Sequence, residues 1–524
     1  MMKISVFGVW ILILALTLAW VSTGFASAQG WLSFLAVLLL AAGIILAAWY
    51  IVIRDVLQPP DTRCASKILG LILVAVLLRL GAGALWYAAL PRWGYGNPAE
   101  TAGYVMSDAF RRDAAAWELA TSERSLLDAF RAYRVADQYG GLLFASAGVY
   151  RFSGAAVHQP LLIVVLTAAF SALAALFTWG FAVRIWNLRI ALVSAWVVAL
   201  FPDAVLLGSS QMREAFMMTL AMMAFYGLAQ ILRARNRWGM AWILGALLLS
   251  LPLSPLFALM LAAFLLFFSF FLAEGKGLHD WRLWLALGGL LIVPLAVIWL
   301  FGDRLLPGAA SDPLTLLHGW LRATARWQGY YAERASGWMQ KIFRSTPNAL
   351  HLWILLAYGV VQPFLPAALF DIGSNPLWRA IALWRALGWA SLLPFLTVAP
   401  FWAWKRSGFR SPPMGLSALV WAAVLTASLR GGGDQWDNPR YRVAWIGLQS
   451  ALAAWVWVTV RASGSLWLRR TIVSLGLIFL WWIPWYLRRV TPLPWPVSDV
   501  FLTLGLGLLS AGLYLVWDFW RART

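Results

Sequence analysis

The sequence predicts an all-α polytopic membrane protein, and three observations support this prediction. Hydrophobic residues make up 62% of the 524 positions and charged residues only 12%. Apolar runs of about 20 residues, the length that crosses a bilayer as a helix, recur from one end to the other. The 41 Lys and Arg fall in short clusters between these runs, as the positive-inside bias predicts. We therefore expect about 13–14 transmembrane helices and large outer-face loops that carry amphipathic juxtamembrane helices.

The expected helices follow the apolar runs in order. They lie near 5–25, 31–53, 68–90, 160–183, 190–201, 214–232, 239–251, 255–273, 283–301, 384–404, 414–429, 443–460, 471–487 and 499–520. The stretch "LHLWILLAYGVVQPFLPAALFDIGSN", residues 350–375, contains two prolines and is expected to re-enter the bilayer or lie on its surface.

The basic clusters predict the orientation of the chain. With the N-terminus inside, the loops 91–158, 202–213, 302–383 and 430–442 emerge on the outer face. Residues 1–53 are expected to form an added helical pair, 54–462 the core, and 463–524 the C-terminal transmembrane helices.

Charge and residue counts also argue against nucleic-acid binding, an intrachain disulfide and a histidine metal site. The net charge of +20 follows from topology, so a nucleic-acid partner is not expected. The single cysteine excludes an intrachain disulfide, and four separated histidines (His158, His279, His318, His351) have no metal-ligand spacing.

The first outer loop, 91–158, holds seven of the 21 acids and seven arginines. A helix is expected from Ser107 as its N-cap, with Asp108 in the first turn, where the helix dipole favours an anion. Asp113 and Trp117 are four residues apart and share a helix face. An acid beside an aromatic ring can serve as a general base. The alternative is that these acids are solvated and pair with the two arginines at 111 and 112.

The second outer loop lies in "FPDAVLLGSSQMREAFMM", residues 201–218. Asp203 follows a proline, and Glu214 opens the next span, where an acid is costly unless it is paired or functional. The alternative for Glu214 is an acid placed on the helix dipole. Arg79 is a further charge in an apolar run, and it needs either an acidic partner or an anionic ligand.

The late loop "GGGDQWDNPRYRVAW", residues 431–445, places Arg440 and Arg442 at the mouth of a span. Two guanidinium groups can bind a phosphate bidentately, and Tyr441 adds a hydroxyl donor. The alternative is an ion pair with Asp434 or Asp437. The amphipathic segment 333–350 is expected either to lie on the membrane as scaffold or to guide a lipid headgroup.

Three stretches together resemble the GT-C superfamily of membrane glycosyltransferases, which includes protein mannosyltransferases and aminoarabinose lipid A transferases. They are "SDAFRRDAAAWELA", "FPDAVLLGSSQMREAF" and "NPRYRVAW". The resemblance covers roughly residues 68 to 460. Two features depart from it, because the acidic loop follows the third span instead of the first, and Trp117 stands where tyrosine is common.

The resemblance implies transfer of a sugar from a polyprenyl phosphate-linked donor to an acceptor hydroxyl, at the outer face of a bacterial plasma membrane. Asp113 or Asp108 would remove the acceptor proton, with Asp113 preferred from its offset to Trp117. Arg440 and Arg442, with Tyr441 and Arg79, would bind the donor phosphate.

The resemblance also implies roles for the remaining candidates. Glu214 would either position the acceptor or hold a divalent cation, Mg²⁺ or Mn²⁺, although no cofactor is certain. Trp117, Asp137 and Asp203 would contact the sugar or the acceptor. The acceptor would be a glycan, a lipid or a protein, and membrane lipids would be further partners.

Two other functions remain open from the sequence. A flippase or transporter for lipid-linked sugars would also be basic, polytopic and rich in tryptophan, but such proteins tend to carry inverted repeats, and none is evident here. A polysaccharide polymerase or ligase that uses a pyrophosphate-linked glycan would also carry arginine-rich outer loops. The acidic first loop favours the simple transferase.

Overall fold

The computed structural model describes residues 2–59, 61–154, 157–272, 337–371, 374–492 and 494–522, with five further positions between 273 and 336 and with side chains from residue 8 onward. Each regular element in these ranges is helical. Apart from those five positions, the predicted span 283–301 and the first part of the predicted loop 302–383 lie outside the described residues.

The chain divides into two compact units, Met1–Ser311 with Val443–Ala451 and Asp312–Arg442 with Leu452–Thr524. Within the described residues, nine helices are long and apolar enough to cross a bilayer, or up to eleven if each of two bent helix pairs is one span. The chain is therefore an all-α polytopic membrane protein, as predicted.

The helices of the first unit are numbered in chain order. They are α1 Met2–Ser22, α2 Trp31–Val56, α3 Thr62–Trp93, α4 Pro98–Thr101, α5 Ser107–Thr121, α6 Gly141–Phe152, α7 Leu161–Ile185, α8 Leu188–Leu200, α9 Pro202–Gly208, α10 Arg213–Arg233, α11 Gly239–Ser250 and α12 Pro255–Leu272. The second unit is helical in its described part too, with Gly337–Ser345, Asn348–Val361, Leu365–Leu369, Pro376–Ser407, Pro412–Gly431, Asp437–Val443, Trp467–Val490 and Val500–Arg521. Helix Ile446–Ala462 contributes residues to both units.

Helix α7 lies at the centre of the first unit, with α2, α3, α8 and α10 packed around it. Its sequence is apolar on every side and rich in alanine, so all its faces are buried against other helices. Small residues let those helices approach closely: a Cβ at Gly180 would lie 2.9 Å from the ring of Tyr226 on α10. A site built at one end of α7 therefore rests on a tightly packed element.

The chain bends by 55° between α8 and α9, and a buried arginine stabilises the bend. Pro202 has no N–H to donate to the carbonyl of Val198 four residues earlier. The guanidinium of Arg79 donates to that carbonyl at 3.2 Å, to Ala199 O at 3.2 Å and to Ala75 O at 2.9 Å. Arg79 is fully buried, and its partners are backbone carbonyls rather than the acidic side chain or anionic ligand that the sequence suggested.

A polar cluster at the C-terminal end of α7 fastens three helices together. Asp55 on α2 accepts from Arg184 at 2.7 Å, from Tyr226 at 2.6 Å and from Asn236 at 3.0 Å. The Arg184 guanidinium also donates to the backbone carbonyl of Asp55. This Asp55 cluster consequently joins α2, α7 and the end of α10.

Two local expectations are revised by the helix boundaries. Ser107 is the first residue of α5 and Met106 is its N-cap, which makes no side-chain capping bond; Asp108 stays in the first turn. The predicted loop 202–213 holds a short helix, α9, and its residues from 202 to 212 are buried. The stretch 350–375 contains helices of 14 and 5 residues, each shorter than a bilayer-spanning helix.

Candidate active site

Helix α5 sorts the charges of the first outer loop onto two faces. Its buried face carries Ala109, Arg112, Asp113, Ala116 and Leu119, at the spacing expected of a helix packed on one side. Asp108, in the first turn, pairs with Arg111 at 2.6 Å, and its side chain is 35% exposed. The two aspartates that the sequence left as alternatives therefore have different environments.

Asp113 is fully buried and is held by hydrogen bonds from three side chains. Tyr104 donates its hydroxyl to Oδ2 at 2.5 Å, and Tyr150 donates to Oδ1 at 2.8 Å with a second contact to Oδ2 at 3.0 Å. Nε2 of His158 lies 2.8 Å from Oδ2. A carboxylate can only accept, so this contact places a proton on Nε2. We call Tyr104, Asp113, Trp117, Tyr150 and His158 the Asp113 cluster.

Two aromatic rings enclose the histidine of this cluster. The ring of Trp117 stacks on His158 with centroids 5.3 Å apart and an interplanar angle of 27°. Tyr150 meets both rings edge-on, at 5.3 Å from Trp117 and 5.4 Å from His158. The side chain of His158 keeps 31% of its surface exposed while that of Asp113 has none, so the cluster opens to its surroundings through the imidazole.

The phenols of the cluster remain proton donors. Burial raises the pKa of Tyr104 well above its ordinary value, and the negative charge of Asp113 and the hydrogen bond to it raise the pKa further. Burial, followed by the charge of Asp113, likewise raises the pKa of Tyr150. Neither tyrosine is expected to ionise near neutral pH, so both stabilise the carboxylate without cancelling its charge.

Arg112 ties the first outer loop to the second. Its guanidinium donates to the carbonyl of Gln211 at 2.9 Å, and its Nε lies 3.5 Å from Oδ2 of Asp137. Asp137 also accepts from the backbone N–H of Leu143 at 3.1 Å, in the first turn of α6. Arg112 and Asp137 are both buried, and Asp137 thereby fixes the position of α6 against α5.

The segment that carries His158 is clamped from both sides. Gln211 donates its amide to the carbonyl of Pro160 at 2.9 Å, and Gln159 donates to the carbonyl of Gln29 at 2.8 Å. Gly30 has φ of +82°, and a Cβ there would lie 2.2 Å from the amide nitrogen of Gln159.

A cavity of about 20 Å³, lined in part by Tyr104 and Gln211, has the volume of a single water.

The acids of the second loop are buried in the first unit. Asp203 lies in the first turn of α9 and Glu214 in the first turn of α10, with exposures of 1% and 3%. No group of three His, Cys, Asp or Glu side chains among the described residues could hold a metal ion. The described residues around Glu214 thus do not fit a divalent cation, and no step below passes through one.

The arginines of the late loop lie in the second unit. Arg442 is almost fully buried, and its guanidinium lies 3.3 Å from the centroid of the Trp389 ring. Arg440 lies 3.6 Å from Asp437, the ion pair that the sequence left as an alternative. The ring of Tyr441 lies 5.9 Å from the guanidinium of Arg430. The amphipathic helix Gly337–Ser345 buries Met339 and Phe343 and exposes Lys341, which pairs with Asp499.

Comparison with known proteins finds only low similarity to this chain. No protein-family model and no curated protein matches the chain. Solved structures of an archaeal oligosaccharyltransferase are similar to it. The enzyme from Archaeoglobus fulgidus, tethered with an acceptor peptide that contains the NVT sequon, gives a TM-score of 0.43 at 15% identity, over 85% of this chain and 55% of that one. Its apo form gives 0.39 at 15% identity, over 85% and 56%.

A third structure, the same oligosaccharyltransferase with an inhibitory peptide and a dolichol-phosphate, gives a TM-score of 0.37 at 15% identity, over 85% of this chain and 54% of that one. The chain spans just over half the length of the structures that it matches. Overlaps as low as these do not establish a shared fold, so the function of this chain has to be argued from its own residues.

Three residues of the Asp113 cluster were not among the candidates from the sequence. His158 lacked metal-ligand spacing, and Tyr104 and Tyr150 are 9 and 37 residues from Asp113. A signal was present, because all three lie in the predicted outer loop 91–158, where a histidine or tyrosine near an acid is a candidate for proton transfer.

Proposed function

We propose that this chain is a membrane glycosyltransferase that moves a sugar from a polyprenyl phosphate-linked donor to an acceptor hydroxyl. The observation that supports this most is the Asp113 cluster, in which a buried carboxylate contacts a partly exposed histidine under a tryptophan ring. Removing a proton from a hydroxyl requires a group held within hydrogen-bond reach and kept in the correct protonation state. Aromatic rings beside it also suit the apolar face of a sugar.

The charges around α7 support an outer-face site, and we propose a bacterial plasma membrane as its location. The helix has 25 residues and extends about 37 Å, enough to cross a bilayer. Arg184 lies at one end and the Asp113 cluster at the other. The basic residues Arg54, Arg63, Lys67, Arg189 and Arg233 lie near the ends of α2, α3, α8 and α10 on the Arg184 side. The positive-inside bias puts that side in the cytoplasm.

The arginines of the late loop and the buried acids have separate proposed parts. Arg440 and Arg442 would stabilise the lipid phosphate as it leaves with its negative charge, with Tyr441 as a further donor. Glu214 would position the acceptor. Asp137 would act indirectly, through its ion pair with Arg112.

The test is sugar transfer by reconstituted protein from a radiolabelled polyprenyl phosphate-sugar pool. We expect wild type to transfer, Asp113→Asn to bind the donor but lose transfer, and Asp108→Asn to retain it, because Asp108 pairs with Arg111 and is not part of the Asp113 cluster. Loss in Asp108→Asn alone would move the base role to that residue. Labelled sugar that crosses the bilayer without transfer would favour a flippase. Activity only with pyrophosphate-linked donors would favour a polymerase or ligase.

A further inference from the structure

Asp113 is poorly placed to take a proton from a substrate itself. Its side chain has no exposed surface. Oδ2 already receives contacts from Tyr104, Tyr150 and His158, and Oδ1 receives Tyr150. Three donors bind its two oxygens, and the lone-pair site that they leave has no exposed surface through which an acceptor hydroxyl could reach it.

His158 has the opposite properties. Its side chain is 31% exposed, and its Nε2 proton is directed at Asp113. In a neutral imidazole with the proton on Nε2, the lone pair lies on Nδ1. This atom makes no hydrogen bond with a described residue and is not one of the buried polar atoms. The nitrogen that can accept a proton is therefore the accessible one.

We infer that His158 is the general base of the proposed transferase and that Asp113 is the residue that orients its ring; this inference rests on the proposed function. In the step, Nδ1 of His158 removes the proton of the acceptor hydroxyl as its oxygen bonds to the anomeric carbon. The bond from that carbon to the phosphate oxygen breaks, and the lipid phosphate leaves with the electron pair. The imidazolium then releases its proton to water.

The surroundings of His158 favour the imidazolium that this step creates. The groups that face it are the carboxylate of Asp113 on α5, the phenol of Tyr150 on α6 and the indole of Trp117; Tyr104, and Tyr87 on α3, act on it through Asp113. Both phenols bonded to Asp113 are neutral donors, so the full negative charge stays beside the ring. The face of Trp117 adds a favourable cation–π contact at 5.3 Å.

The experiment is the pH profile of kcat/KM in reconstituted wild type and in His158→Gln, His158→Gly and Asp113→Asn. Wild type is expected to lose activity at low pH, because an imidazolium has no lone pair with which to accept the proton of the acceptor hydroxyl. His158→Gln should lose about 10²- to 10⁴-fold in kcat and lose that acid limb. Added imidazole should restore part of the activity of His158→Gly alone.

Asp113→Asn tests the positioning role separately. It retains the imidazole but removes the carboxylate that holds the proton on Nε2, so the ring is no longer oriented and kcat should fall. Imidazole should not rescue it. His351→Gln is the matched control, because His351 bonds to the backbone carbonyl of Thr346 in the second unit, and its profile should follow wild type.

The outcomes separate the two proposals. If wild type transfers sugar and folded His158→Gln keeps the wild-type rate and acid limb, the inference is overturned while the transferase stands. If neither His158→Gln nor His158→Gly responds to imidazole, and both variants lose only thermal stability, His158 is structural and the inference is again wrong. If wild type transfers no sugar from any lipid phosphate donor, the proposed function itself fails.

Discussion

Two aspartates lie at opposite ends of α7, and different kinds of partner hold them. Asp55 bonds to a guanidinium, Arg184, as well as to Tyr226 and Asn236. The arginine cancels the charge of Asp55, and three helices meet at the pair. Asp55 therefore has a structural role, which is to join these helices.

Asp113 receives hydrogen bonds from two phenols and an imidazole, and among the described residues no Lys or Arg pairs with it. Arg112, its neighbour in sequence, is directed to Asp137 and Gln211 instead. Its charge is therefore stabilised but not cancelled, and it remains available to the partly exposed ring of His158. The comparison shows that partner chemistry, more than burial, separates an acid that joins helices from one that can orient a candidate base.

The largest expected difference between variants at the two ends of α7 is in the rate of sugar transfer. Asp113→Asn should lower kcat by about 10²- to 10⁴-fold, since the base loses the charge that orients and supports it. Asp55→Asn should keep the rate per folded molecule and lose stability. The measurement is transfer per folded protein, with folding assessed by thermal unfolding in micelles. Equal loss of rate in both variants would break the comparison.

The next effect is on stability and compares the two arginines. Arg112→Gln leaves Asp137 buried without its ion-pair partner, and we expect a loss of about 3–5 kcal/mol because both side chains are almost fully buried. Arg184→Gln should cost less, roughly 1–3 kcal/mol, because its side chain and that of Asp55 are 21% and 15% exposed. Unfolding in matched micelles measures both. A larger loss in Arg184→Gln would contradict this ranking.

A third effect depends on pH. Folding raises the pKa of Tyr104, so between the unfolded value of about 10 and the higher folded value only the unfolded state loses this proton. The stability from this group is complete below pH 10 and is lost as pH rises above it. Melting temperatures of wild type from pH 8 to 11 should therefore fall, and more steeply than those of Tyr104→Phe. Parallel curves would show that Tyr104 does not contribute.

The smallest effects come from the outer partners of each aspartate. Trp117→Phe keeps an aromatic face against His158, so the rate should fall less than about tenfold, in line with about 0.5–1.5 kcal/mol for an aromatic pair. Asn236→Ala removes one hydrogen bond to Asp55 and should cost about 0.5–1.5 kcal/mol of stability with no change in rate. A rate loss in Asn236→Ala would mean that the Asp55 end also affects chemistry.

Local periodicity predicts the fold of this chain well. The expected helices 31–53 and 160–183 correspond to Trp31–Val56 and Leu161–Ile185, because an apolar run of bilayer length is a local property. The bend after α8 was read as a loop because burial of 202–212 depends on neighbours that the sequence does not reveal.

The site was predictable only as far as one helix extends. The four-residue spacing of Asp113 and Trp117 correctly places both beside one another on α5, in contact with His158. The contact of Arg112 with Asp137 could not be predicted in this way, because Asp137 is 25 positions further along and is brought close by the packing of α6. Such contacts depend on tertiary packing, which spacing along one helix cannot reveal.

Arg79 affects how α3 enters the membrane during synthesis. An arginine near the middle of an inserting helix costs about 2.5–3.5 kcal/mol, and α3 has to offset that cost with its own apolar residues. Two of the carbonyls that later bind the guanidinium are 119 and 120 residues further along the chain. At about 5–20 residues per second the ribosome needs about 6–24 seconds to reach them. During that interval the cation has to be satisfied by Ala75 O, water or lipid headgroups, so α3 is expected to settle at its final depth only after α8 has been made.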